Sequence, residues 1–94
     1  MANKLVLAIV QDQDAGRVLE ALIEKKFGAT RINTAGGFLK RGNATILVGV
    51  DEAEVDDVIL TIDSSCEARQ VADKNVTVGG GTVFVLGVDS LWRL

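Results

Sequence analysis

The chain has 94 residues, of which 48% are hydrophobic, and a formal net charge of −3, with no histidine and one cysteine. These totals predict a single domain over residues 1–94. It lacks the usual metal ligand and the usual proton shuttle for catalysis, and its charge disfavours DNA or RNA as partners. No apolar run of about twenty residues and no secretion signal is visible, and Cys66 has no disulfide partner, so we expect a cytoplasmic protein without membrane insertion.

The N-terminal part of the sequence predicts a strand followed by an amphipathic helix. Residues Lys4–Gln11 are apolar on both alternating faces, which is typical of a strand covered on both sides. Asp12 or Asp14 then caps a helix, an interpretation we favour over a catalytic pair of carboxylates. We expect this helix to end near Lys25, Lys26 and Gly28. Its apolar stripe consists of Ala15, Val18, Leu19, Leu22 and Ile23.

The middle of the sequence predicts two paired strands and a second helix. Residues 30–34 and 44–50 have the pattern of strands, and a glycine-rich loop joins them. An acidic run from Asp51 opens the second helix at its positive end. The apolar face of this helix consists of Val55, Val58, Ile59, Ile62 and Cys66. We therefore expect Cys66 to be a buried, inert thiol.

The C-terminal part predicts a loop, a last strand and a short end segment. Residues 67–74 are polar and predict a loop, whereas residues 75–88 predict extended structure with a bulge at the glycines of 79–81. Residues 89–94 form a helical turn or a tail. For Trp92 and Arg93 we favour a hydrophobic clip on the core over a contact with a ligand cleft.

An internal repeat indicates the fold. A shift of forty positions aligns Val10, Val18 and Leu22 with apolar residues of the second half, which predicts a ferredoxin-like α+β fold of order βαββαβ. Both helices then cover one face of the sheet, although the strands are apolar on both faces. An uncovered apolar face drives association, so we expect an obligate homo-oligomer of closed cyclic symmetry, with ligand clefts between subunits.

The glycine-rich loop has the composition of a nucleotide site. The N–H groups of Gly36 and Gly37 can approach a phosphate, and Lys40 and Arg41 supply positive charge. A plain solvated hairpin has the same composition, and from spacing alone we weigh the two interpretations about equally. The loop therefore predicts phosphate contacts without proving them.

The same loop offers groups for a base. Phe38 can stack on a ring, Leu39 forms an apolar wall, and the amide of Asn43 can pair with a base edge. Thr30 and Gly49 flank the loop from neighbouring strands. Alternatively, Phe38 lies in a subunit interface and Asn43 only closes a turn.

Five segments of the chain resemble one known family: AIVQDQDA, FGAT, TAGGFLKRGNATILVGV, VDDVI and GGTVFVLGVD. In this order and combination they resemble the PII-like cyclic di-AMP receptors of bacteria. The resemblance implies a homotrimeric sensor rather than an enzyme, with cyclic di-AMP in each intersubunit cleft and no other cofactor. By position, the implied ligand contacts are Thr30, Gly37, Phe38, Leu39, Asn43, Gly49 and Phe84, and Arg93 stands where the family often has Gln.

The chain also departs from this family. Members usually carry Arg at the position of Gly28 and a longer loop before the last strand. These departures keep open a trimeric scaffold or interaction module that binds no cyclic di-AMP, or a protein for another adenine nucleotide. An acylphosphatase-like enzyme using Arg41 and Asn43 is a remote third hypothesis. The sequence does not identify the downstream protein partner.

Overall fold

The computed structural model describes residues 3–32, 42–66, 69–71, 76–78 and 81–94, with the backbone alone for 69–71 and 76–78. A 3-10 turn over Glu52–Glu54 precedes the second helix. The regular elements are β1 (Lys4–Gln11), α1 (Asp12–Glu24), β2 (Gly28–Ile32), β3 (Asn43–Val50), α2 (Val55–Ser65), β4 (Arg69–Val71), β5 (Val76–Val78) and β6 (Gly81–Gly87).

The main sheet has the predicted ferredoxin-like topology. Its strand order is β2-β3-β1-β6, and every neighbouring pair is antiparallel. β1 therefore lies between β3 and β6, and the predicted pairing of the second and third strands is confirmed. The register aligns Leu7 of β1 with Leu47 on one side and Phe84 on the other. This architecture confirms the α+β class.

The core lies between the two helices and one face of the sheet. Val6, Ala8 and Val10 alternate along β1 and are almost completely buried, as are Leu22 of α1 and Val58 of α2. Most of the predicted apolar stripes pack here. Ile23 is an exception, with 55% of its surface exposed. It lies next to Leu22, and one step along a helix turns a side chain away from the core.

The ends of α1 differ from the prediction. The N-cap position falls on Gln11, because the helix follows β1 directly, and no side chain caps it. Asp12 and Asp14 lie in the first turn instead, so their predicted capping role is wrong. At the other end Lys26 adopts a left-handed conformation with φ 65°, and the N–H of Phe27 donates to the carbonyl of Leu22 at 3.0 Å. This Schellman-type end leaves Gly28 free to begin β2, two residues before the predicted strand.

The structure also corrects the prediction for the region after α2. Within the polar segment predicted as a loop, Arg69–Val71 pairs with Val76–Val78 in a separate two-stranded sheet. Strands of three residues are too short for alternation to reveal them. The glycines at 79 and 80, predicted to form a bulge, lie outside the described residues.

The last six residues, Asp89–Leu94, form neither helix nor strand. Trp92 is 81% exposed, so the predicted clip of this tail on the core is wrong for the single chain. The tail follows β6, an edge strand of the main sheet.

Candidate functional site

In the part of the chain that the structure describes, neither helix packs on the second face of the main sheet. We call it the open face. Register and alternation place on it Leu5, Leu7, Ile9, Thr30, Asn43, Leu47, Gly49, Phe84 and Leu86. Phe84 is 44% exposed and Leu86 46% exposed, which is high for large apolar side chains near the middle of a strand. The expected apolar face is therefore present, and no helix among the described residues covers it.

Four predicted ligand contacts share this face. Thr30 pairs with Leu47 and Gly49 pairs with Gly28, so Thr30 and Gly49 are diagonal neighbours on β2 and β3. Asn43 lies at the opposite end of β3, about 20 Å from Gly49 by strand rise. Phe84 lies on β6, three strands and about 14 Å from Thr30. Of these four described residues, a single chain therefore brings together only Thr30 and Gly49.

The glycine-rich loop is fixed at both ends to the first turn of α1. The N–H of Asp12 donates to the carbonyl of Gly42 at 2.8 Å. The carboxylate of Asp12 accepts a hydrogen bond from Arg31 on β2 at 3.2 Å. Asp12 thus contacts the chain before and after residues 33–41. The predicted contacts within the loop, Gly36, Gly37, Phe38, Leu39, Lys40 and Arg41, lie outside the described residues.

Asn43 is part of β3 rather than of a turn. It is the first residue of the strand and pairs with Gln11. The left-handed conformation that closes the turn belongs to Gly42, with φ 92°. The interpretation of Asn43 as a turn residue is therefore wrong, because glycine adopts this conformation without steric cost.

Sequence reasoning missed a pair of glycines on the open face. Gly28 and Gly49 face each other across β2 and β3, and both are exposed. A Cβ placed on Gly28 would meet no atom within 4 Å. We call this gap the glycine notch. Its signal in the sequence is Gly28 immediately before a strand pattern, but a glycine after two lysines predicts the end of a helix.

The C-terminal tail begins at the same end of the sheet as the glycine notch. Gly87, Lys4 and the chain end of β3 are adjacent in register, and the N–H of Val88 donates to the carbonyl of Asn3 at 3.0 Å. Arg93 lies in this tail and is exposed. The tail therefore begins at the end of the sheet where Gly49 lies, and not at the end where Asn43 lies.

A separate cavity of about 310 Å³ lies on the helix side, between α2 and the start of β6. Its lining includes Ile62, Val83 and Cys66. Burial raises the pKa of the Cys66 thiol, and the carboxylates of Asp14 and Asp63 raise it further. The thiol is only half-buried, in part against the prediction, but its raised pKa keeps it protonated near neutral pH.

The described residues contain neither a cluster suited to a metal ion nor a helix suited to a membrane. Among the described residues, no group of three or more histidine, cysteine, aspartate or glutamate side chains is placed to hold a metal ion. Within the same part of the chain, neither helix has the length and apolar character needed to cross a bilayer.

Comparison with known proteins places this geometry in a family. A family model described as cyclic-di-AMP receptor matches residues 3–74. The chain belongs to the cyclic-di-AMP receptor family. The matched range includes β1, α1, β2, β3 and α2, together with the glycine-rich loop. Phe84 and Arg93 lie beyond it.

Two solved structures are similar to this member of the family. A functionally unknown protein from Pediococcus pentosaceus is 41% identical with a TM-score of 0.79, and the match covers 100% of this chain and 99% of that one. Arabidopsis thaliana PII bound to citrate is 25% identical with a TM-score of 0.74, over 97% of this chain and 79% of that one. The expected PII-like fold is confirmed. Together with the family, which is one of receptors, it supports PII-like nucleotide-binding signalling.

Proposed function

We propose that this receptor is a homotrimeric sensor that binds cyclic di-AMP in clefts between its subunits. One observation carries the proposal: Thr30, Asn43, Gly49 and Phe84 share the open face, yet one chain leaves Asn43 and Phe84 far from the neighbours Thr30 and Gly49. A binding site that uses them together needs a second subunit. Family membership supports the nucleotide class of the ligand.

The open face supports the assembly. Leu5, Leu7 and Phe84 lie on it in adjacent strands, and burying apolar surface contributes about 25 cal/mol per Å². In a closed cyclic trimer each interface is head-to-tail, so one side of a subunit meets the other side of the next. The β6 side of one subunit then approaches the β2 side of its neighbour. This arrangement brings Phe84 toward Thr30 of the partner subunit.

The chemistry at such a junction suits an adenine dinucleotide. The ring of Phe84 offers a surface for a base, and the hydroxyl of Thr30 can donate to a phosphate or a ribose oxygen. Lys40 and Arg41 would supply positive charge that the acidic chain otherwise lacks. Ligand that binds the loop in one geometry shifts the population toward it, and a downstream protein can read that geometry.

A second candidate rests on Gly28. This residue is exposed in β2 next to Gly49, and it brings neither charge nor a planar group to the open face. A trimer with weakened affinity for a dinucleotide could serve as a scaffold or bind another adenine nucleotide.

Calorimetric titration of the purified protein distinguishes these functions. Cyclic di-AMP, ATP, ADP and cyclic di-GMP are titrated in turn, with the oligomeric state measured on the same sample. We expect heat from cyclic di-AMP above all, reduced by Thr30→Val, a near-isosteric change that removes the hydroxyl. The exposed Ser64→Ala on α2 is the matched control, because it also removes one hydroxyl but on the helix side. A trimer that gives no heat with any nucleotide contradicts the sensor and leaves the scaffold.

A further inference from the structure

The glycine notch is a gap at one end of the open face. Gly28 and Gly49 are cross-strand partners, so two adjacent positions on this face carry no side chain. Thr30 borders the gap on β2, and Leu5 borders it on β1. Adjacent glycines in strands expose backbone that an aromatic ring from elsewhere can cover. The notch can therefore accommodate a flat apolar group.

The C-terminal tail carries such a group. Trp92 is 81% exposed, and it is the only tryptophan of the chain. Its neighbours Leu91 and Leu94 are 48% and 115% exposed. Three large apolar side chains within four positions of a solvent-exposed tail indicate a segment that packs against another surface.

The tail is placed to reach a neighbouring subunit. It leaves β6 at Gly87, at the same end of the sheet as the notch. Trp92 follows Gly87 by five residues, a reach of up to about 17 Å. In a head-to-tail ring the β6 side of one subunit meets the β2 side of the next, and β2 and β3 span about 5 Å each. Among the described residues of its own chain, Trp92 leaves most of its surface exposed.

We propose that Trp92 of one subunit seats its indole over the glycine notch of the next subunit and there forms an aromatic wall of the nucleotide cleft beside Thr30. The proposal rests on the trimer proposed above. It gives the side-chain-free position Gly28 a role, because the space left there accommodates a ring supplied in trans. It also makes Trp92 a determinant of affinity for a purine base.

Fluorescence tests the seat directly, because Trp92 is the sole tryptophan and the chain has no tyrosine. Quenching by acrylamide is measured on the full chain at concentrations where sedimentation shows the trimer. We expect wild-type emission to be blue-shifted and several-fold less quenched than that of free tryptophan. Gly28→Val fills the notch, where its Cβ has open space, and should return quenching toward the free value. Gly16→Ala is the control, since Gly16 also has open space but lies on α1.

Substitutions of Trp92 test its contact with a purine base without changing any residue of β2. Trp92→Ala should weaken cyclic di-AMP binding about tenfold, because stacking on a base contributes about 1–3 kcal/mol. Trp92→Phe should retain most of the affinity, and Leu60→Ala, at an exposed apolar position on α2, should match wild type.

The outcomes separate this proposal from the proposed function. A trimer that binds cyclic di-AMP but has a fully quenchable Trp92 contradicts the position of Trp92 over the notch and is consistent with the proposed sensor. Quenching that is unaffected by a folded, trimeric Gly28→Val also contradicts that position. A chain that sediments as a monomer at all concentrations contradicts the trimer itself, whatever its fluorescence shows.

Discussion

Replacing Leu7 with lysine should dissolve the assembly and leave the fold intact. Leu7 lies at the centre of the open face, between Leu47 and Phe84. It is half-buried in the single chain and points away from the helices and their core. Lysine at this position keeps its charged end in water in a monomer but must bury it between packed sheets in a trimer.

The magnitude follows from the area that Leu7 still has to bury. Full burial of a leucine side chain contributes about 1.5–3 kcal/mol, and the third or less of Leu7 that remains exposed contributes up to about 0.5–1 kcal/mol per subunit. Three copies lose up to about 1.5–3 kcal/mol on trimerisation, which weakens the association constant up to roughly 10–150-fold. Desolvation of three ammonium groups adds to this loss.

Sedimentation velocity over a dilution series measures the effect, and circular dichroism confirms the fold. Leu60→Lys is the matched control, because Leu60 is 65% exposed on α2 and lies outside the open face. We expect wild type and Leu60→Lys to remain trimeric where Leu7→Lys is monomeric. A folded Leu7→Lys that assembles like wild type would refute the open face as the subunit interface.

Three further predictions concern stability and reactivity. Leu22→Ala should lower the free energy of unfolding by about 2–5 kcal/mol in urea denaturation, because Leu22 is fully buried, whereas Leu60→Ala should cost little. Gly81→Ala should also destabilise the protein, since its Cβ would lie 2.5 Å from a carbonyl of β1, whereas Gly87→Ala meets no atom within 4 Å; equal melting temperatures would contradict this. The Cys66 thiol should react with iodoacetamide more slowly than a free thiol at the same pH, because its pKa is raised. The raised pKa also makes stability depend on pH. The contribution of Cys66 to the free energy of unfolding is present below the ordinary pKa of a thiol and is lost as the pH rises through the raised pKa of the folded state. Cys66→Ser should abolish this loss.

Most of the main sheet could be predicted because its strands have strong patterns. The bounds of β1 agree with the prediction, since a continuous apolar run ends where acidic residues begin. β2 was placed two residues late, because Gly28 has low strand propensity and a glycine after lysines is typical of a helix end. Lys26 takes the left-handed position instead, at a cost that the Schellman hydrogen bonds offset. The β4–β5 hairpin could not be predicted, because strands this short show no period.

The sequence predicts which face of the sheet carries the candidate site residues, but it does not predict the distances between them. Alternation along paired strands places Thr30, Asn43, Gly49 and Phe84 on the open face. Their separation depends on strand order and on the ends of β3, which no local pattern contains. The glycine notch depends on register, since only the pairing of β2 with β3 makes Gly28 and Gly49 neighbours. Cross-strand relations of this kind are properties of the folded sheet rather than of either strand.

The anchoring of the loop determines how a ligand can act on this receptor. Both ends of residues 33–41 are held by Asp12, through Gly42 on one side and Arg31 on the other. The same turn of α1 reaches α2, because Arg17 bonds Asp14 and also donates to the carbonyl of Ser65 at 3.3 Å. A ligand that reshapes the loop therefore does so between fixed ends. These hydrogen bonds connect the residues on both sides of the loop, through the first turns of α1, to Ser65 at the end of α2, after which the chain continues toward β4.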